Sequence, residues 1–146
     1  DTDSPGATII STETLQTLST WFPDLDLDQL RRRFRSNFEI SGGGAFWEDR
    51  LYREMGNFVP FQVGEVAFLG VNPCQRCIVP TRDPQTGVAY PDFQKIFVAK
   101  RQETLPHWVN AERFNHFYRL AVNTRVAHVE GAKTVHVGDR VMLASA

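Results

Sequence analysis

The chain has 146 residues, 42% hydrophobic and 23% charged, with 16 basic and 17 acidic side chains and a formal net charge of -1. Those proportions describe one globular domain with a real core, and the balanced charge excludes a global field that would draw nucleic acid or an anionic membrane. No apolar run approaches the ~20 residues of a spanning helix, and two cysteines are too few for a disulfide scaffold, so the expected setting is cytoplasmic.

In chain order, Ala7 to Ile10 reads as a short strand. Ser11 or Thr12 then caps a helix with Leu15, Leu18, Trp21 and Phe22 on one face. Phe22-Pro23-Asp24 ends it. Asp26 caps a second short helix, with Gln29 three residues on; acids open it (Asp26, Asp28) and Arg31, Arg32 and Arg33 close it, as the helix dipole favours. Phe34 to Ile40 alternates like a strand, which would place Arg35 and Asn37 together on its polar side. Ser41-Gly42-Gly43-Gly44 is a loop.

Further on, Val63-Gly64-Glu65-Val66 and Val137-Gly138-Asp139-Arg140-Val141 share a pattern of strand, Gly-acid turn and strand. Asp92 caps a helix with Phe93, Ile96 and Phe97 inward, and residues 101–112 read as loop around Pro106. Val122 to Val129 and Thr134 to Leu143 read as strands. No linker divides residues 1–146. The expected fold is one mainly β domain with about three short helices and a barrel-like closed sheet.

The chemistry concentrates in Asn72-Pro73-Cys74-Gln75-Arg76-Cys77-Ile78-Val79-Pro80-Thr81, followed by the turn Asp83-Pro84-Gln85-Thr86-Gly87. A thiolate is a soft metal ligand and a nucleophile. A thioredoxin-type pair needs a helix N-terminus, whereas Ile78-Val79-Pro80 favours extended chain. A zinc site would need His107, His116, His128 or His136, none with a matching H-x3-H spacing. Two buried thiols acting as small apolar groups are the third reading, which composition alone favours. The run Arg31-Arg32-Arg33-Phe34-Arg35 reads as a solvated helix end, or else Arg35 and Asn37 grip a phosphate and a heterocycle. Trp21, Trp47, Trp108 and the phenylalanines read as packing.

Arg33-Phe34-Arg35-Ser36-Asn37, Ala45-Phe46-Trp47-Glu48-Asp49, the two Val-Gly-acid turns and the cysteine block with its Asp-Pro turn together resemble the MOSC domain. That is the C-terminal domain of molybdenum cofactor sulfurases, shared by the amidoxime-reducing component and related proteins. The resemblance implies a β-rich barrel-like fold and a bound molybdenum-molybdopterin. It makes Cys77 the metal ligand and catalytic thiolate, and sets Gln75 and Arg76 beside the cofactor. It makes Arg35 and Asn37 contacts to the pterin or its phosphate, with looser matches at Ser4 (in Asp3-Ser4-Pro5) and at Asn123 (in Ala121-Val122-Asn123-Thr124-Arg125). Glu48 and Asp49 would make structural hydrogen bonds.

The implied activity is reduction of small N-hydroxylated compounds, with electrons from a ferredoxin- or cytochrome-like protein or domain. The alternatives are sulfur transfer through a cysteine persulfide and a non-catalytic binding module. Ser36 stands where the family usually has proline, and Arg82 where it often has an apolar residue. Relatives with the reductive activity carry a β domain ahead of this one, so the chain is expected to be a trimmed piece or a half-open site.

Overall fold

Ser11 sits at the end of a strand and ahead of an apolar periodic run, and it caps: its hydroxyl accepts from the Thr14 N–H at 3.1 Å. The structure, a computed structural model, describes residues 6–144. Strand β1 (Thr8–Ser11) runs into helix α1 (Thr12–Trp21), which buries Leu15, Leu18 and Trp21. Asp26 caps helix α2 (Leu27–Phe34) by accepting from the Gln29 N–H at 2.8 Å. The chain then returns as strand β2 (Phe38–Ile40), parallel to β1. The two helices form the crossover that a parallel pair requires.

The stretch from Phe34 to Ile40 is therefore only partly a strand. Phe34 closes α2, and Arg35 takes the left-handed conformation (φ 54°) that stops the helix. Phe34 is drawn into the helical core, where its ring packs 6.1 Å from Phe93 and 5.9 Å from Phe97. Burial of that ring overrides the local alternation, so Arg35 and Asn37 do not share a strand face.

Strands β3 (Val59–Val63) and β4 (Val66–Gln75) form the hairpin expected at Gly64-Glu65. The second Gly-acid turn packs against the first: the Gly64 N–H donates to the Arg140 carbonyl at 3.0 Å, and the Asp139 carboxylate fills the space a side chain at Gly64 would need. Helix α3 (Phe93–Glu103) turns Phe93, Phe97 and Arg101 inward. Asp92 precedes it with φ 57° and makes no side-chain cap, and the helix runs into the stretch expected as loop. Strand β5 is Arg119–Val126 and β6 only Val141–Leu143. His128–Ala132 is a 3-10 turn instead of a strand end, and Thr134 to Arg140 is irregular.

The six strands form one mixed sheet in the order β2-β1-β5-β4-β3-β6. It is an open half-barrel, not a closed sheet. Bulges in the β4–β5 ladder at Gly70/Asn72 and Pro73/Gln75 bend it. Its edge strands β2 and β6 have three residues each and face one another across a polar groove lined in part by Glu39, Ser41, Asp139 and Arg140. Charged side chains on short edges discourage the pairing that closure would need. Two cores result. The three helices pack on one, around Leu18, Phe22, Phe34 and Phe97; the other, around Ile9, Phe61, Phe68 and Val122, fills the concave side.

Candidate functional site

Arg76 sits where the end of β4, the end of α2 and β5 converge. Its N–H donates to the Tyr118 carbonyl at 3.0 Å, extending the β4–β5 ladder. Its Nε donates to the Leu120 carbonyl at 3.1 Å and its Nη1 to the Phe34 carbonyl at 3.0 Å. The bond to the Phe34 carbonyl places a cation on the negative end of α2. The guanidinium also stacks 5.2 Å over the Phe34 ring. Burial lowers its pKa, while the nearby Cys74, Tyr118 and Cys77 oppose that shift. Its Nη2 is buried without a partner among the described residues.

Cys74 lies half-buried near the end of β4, and Cys77 is exposed just beyond. The Val79 N–H donates to the Cys77 Sγ at 3.5 Å. The chain turns there as a 3-10 segment, Val79–Thr81, instead of running extended, because Arg33 holds it: the Arg33 Nη1 donates to the Pro80 carbonyl at 3.0 Å. Arg33 is accordingly buried, only 4% exposed, and burial lowers its pKa. The buried-thiol reading thus fails for Cys77. The solvated-helix-end reading holds for Arg31 and Arg32 but not for Arg33.

Tyr118 completes the group. Burial first, and the Cys77 sulfur second, push its phenol up to about 12. Its hydroxyl, like Arg76 Nη2, is buried with no partner among the described residues. Sequence reasoning missed it, because only the β4–β5 pairing, with Gln75 opposite Arg119, brings it to the cysteine block. Arg119 arrives the same way. Its Nη1 donates to the Pro73 carbonyl at 3.1 Å and its guanidinium lies within range of Cys74.

Beside Cys77 opens a cleft of about 550 Å³. Four arginines face it, Arg32, Arg33, Arg35 and Arg82, against one acid, Asp83; Ile78, Val79 and Pro84 form its aliphatic wall. The Asp83-Pro84 turn is held by the Asp83 carboxylate, which accepts from the Gln85 and Thr86 N–H groups at 2.8 and 2.9 Å.

Of the expected site residues only Arg35 lines this cleft; Arg76, bonded to the Phe34 carbonyl, and Cys77, next to Ile78, lie on the chain adjoining it, and Gln75 is exposed at the end of β4. Asn37 and Asn123 belong to a neighbouring polar row. The Asn37 Oδ1 accepts from the Thr8 N–H at 2.8 Å and from the Thr8 hydroxyl at 3.1 Å. Asn123 is the register partner of Thr8 and donates to the Asn72 Oδ1 at 2.8 Å. The row thus ties β2, β1, β5 and β4 together at one end of the sheet. Ser4 lies outside the described residues. Glu48 and Asp49 make buried structural contacts, Glu48 with Ser11 and Thr14 and Asp49 with Arg101.

Among the described residues no three His, Cys, Asp or Glu side chains gather to hold a metal. A group bound through a single thiolate needs no such cluster, and the residues present suit it. The exposed Cys77 stands beside the Arg76 guanidinium, and the buried Arg76 Nη2 and Tyr118 Oη lack partners among the described residues. No helix among the described residues is long and apolar enough to cross a membrane. A search of curated proteins finds no match to this chain. The family model described as MOSC domain matches residues 5–142, and the chain belongs to the MOSC domain family.

Proposed function

We propose that this domain binds the molybdenum-molybdopterin cofactor beside Cys77 and serves an oxidoreductase acting on N-hydroxylated compounds. The observation that carries this reading is the exposed Cys77 beside the half-buried Arg76, whose buried Nη2, like the neighbouring Tyr118 Oη, has no partner among the described residues. Buried polar atoms are ordinarily hydrogen-bonded, so a pair left open at an accessible sulfur fits a polar group that docks there. When bound, the cofactor supplies two-electron oxygen-atom chemistry; the protein binds and orients it.

Cys77 would hold the metal, and the Val79 N–H keeps its sulfur oriented. Arg76 offsets the negative charge that a phosphate-bearing, sulfur-rich group brings. Arg35, whose guanidinium has no partner among the described residues, would take the phosphate, and Gln75 and Ser4 would flank the pterin. Asn37 and Asn123 act through the row they build with Thr8 and Asn72, which fixes the end of the sheet behind the cleft. A ferredoxin- or cytochrome-like donor would supply electrons, and the surroundings would be cytoplasmic.

The exposure of Cys77 also favours a second reading, in which a partner loads a sulfur atom onto it for transfer to the cofactor. Metal analysis of protein made in a cofactor-competent host separates the two. The proposal expects molybdenum and pterin in the wild type, at least tenfold less in Cys77→Ala, and near wild-type content in Cys74→Ala. Equal molybdenum in wild type and Cys77→Ala would refute it. Sulfur transfer instead requires a cyanide-labile mass gain of one sulfur atom on Cys77.

A further inference from the structure

The cleft beside Cys77 is more cationic than a single phosphate contact at Arg35 requires. Arg32 and Arg35 make no hydrogen bond or ion pair among the described residues, and Arg82 spends only one nitrogen, on the Gly87 carbonyl at 3.2 Å. Arg32 lies in the last turn of α2 and Arg35 is the left-handed residue that ends it, and both line the cleft. Arg82 reaches the same cleft from a different element, the loop after the cysteine block. Guanidiniums with open donors that share one cleft make a receptor for an anion.

The remaining wall is aliphatic. Ile78 is 66% exposed and Val79 45% exposed, both on the chain that leaves Cys77. Large apolar side chains held in water at a charged cleft ask for an apolar partner, which a bare inorganic ion would not provide. We infer that this cleft binds an organic anion with an apolar body: its charged group sits between Arg32 and Arg82, and its hydrocarbon lies on Ile78 and Val79. The anion's place next to Cys77 makes it the recognition group of the substrate. That last step rests on the cofactor reading above, whereas binding of the anion itself does not.

The test is a titration of the purified 146-residue chain with benzoate, its neutral isostere benzamide and inorganic phosphate, followed by amide chemical shifts. Benzoate should bind at least tenfold more tightly than benzamide and shift the Ile78 and Val79 amides. Arg32→Gln and Arg82→Gln should each weaken it about tenfold, the usual worth of one charge-assisted contact. Equal binding of benzoate and benzamide, or unaltered binding in both arginine variants, overturns the inference. So does binding of phosphate without benzoate, which would reduce the cleft to a phosphate anchor and leave the cofactor reading standing. In cofactor-loaded protein benzoate should compete with substrate; intact benzoate binding without competition overturns its assignment to the substrate. Loss of molybdenum dependence on Cys77 would end the cofactor reading and leave the benzoate result unchanged.

Discussion

Glu48→Gln should stabilise the domain above neutral pH and not below pH 5. Glu48 is 1% exposed and accepts from the Ser11 N–H at 2.5 Å, the Ser11 hydroxyl at 3.1 Å and the Thr14 hydroxyl at 2.7 Å. Burial first, and the charge of Asp49 second, raise its pKa from 4.5 to about 7 against those bonds. The folded-state value lies above the unfolded one. The stabilising contribution of the proton is therefore fully present below pH 4.5 and is lost as pH rises through about 7. At ~1.4 kcal/mol per pKa unit, the difference over that window is about 3 kcal/mol.

Glutamine copies the uncharged acid: its carbonyl can accept from Ser11 N–H, and its amide can donate to the hydroxyls, which reorient. Asp49, whose pKa burial also raises, faces Glu48, and Arg101 faces Asp49; both remain in the variant. Urea unfolding followed by tryptophan fluorescence at pH 5, 6, 7 and 8 measures the two stability curves. The gap in favour of glutamine should open from under about 1 kcal/mol at pH 5 to about 3 kcal/mol at pH 8, at no more than ~1.4 kcal/mol per pH unit. Parallel curves across that range would refute the buried-carboxyl argument.

Arg101→Met should lower stability by about 3–5 kcal/mol, because it strands the buried Asp49 carboxylate, now 2.8 Å from Arg101 Nη2, and unpairs the Arg119 carbonyl; calorimetry checks it, and Asp49→Asn in the same chain should restore part of the loss. Gly70→Ala should prevent folding, since the added methyl would land on the Leu51 carbonyl oxygen, a backbone atom with no room to retreat; soluble expression and circular dichroism decide. Leu18→Ala, at a fully buried position in the helical core, should cost about 3 kcal/mol by denaturant titration, with the cleft chemistry unaltered.

Much of the local architecture was legible in the residues because its causes lie within a few positions of one another. Ser11 and Asp26 cap with their own side chains the helices that follow them, Gly64 turns the β3–β4 hairpin, and Asp83 closes the turn that Pro84 and Gly87 announce. The family assignment was legible for a related reason: it rests on short ordered motifs that survive without reference to contacts.

What local rules missed was decided by partners far along the chain. Phe34 alternates with Phe38 as in a strand, yet its ring joins Phe93 and Phe97 and it ends a helix. Thr134 to Val137 has the composition of a strand but finds no ladder, and the sheet stops short of closure with charged groups along the groove between its edges. The cleft is set by bonds spanning 42 to 47 residues, Arg76 to Phe34 and Leu120, and Arg33 to Pro80. Those bonds also bring Tyr118 to Cys77. Side-chain chemistry close along the chain sets which residues can cap, turn and ligate. Which of them meet is settled by the assembled fold, because burial and long-range pairing outweigh the fraction of a kcal/mol that separates helix from strand at a single residue.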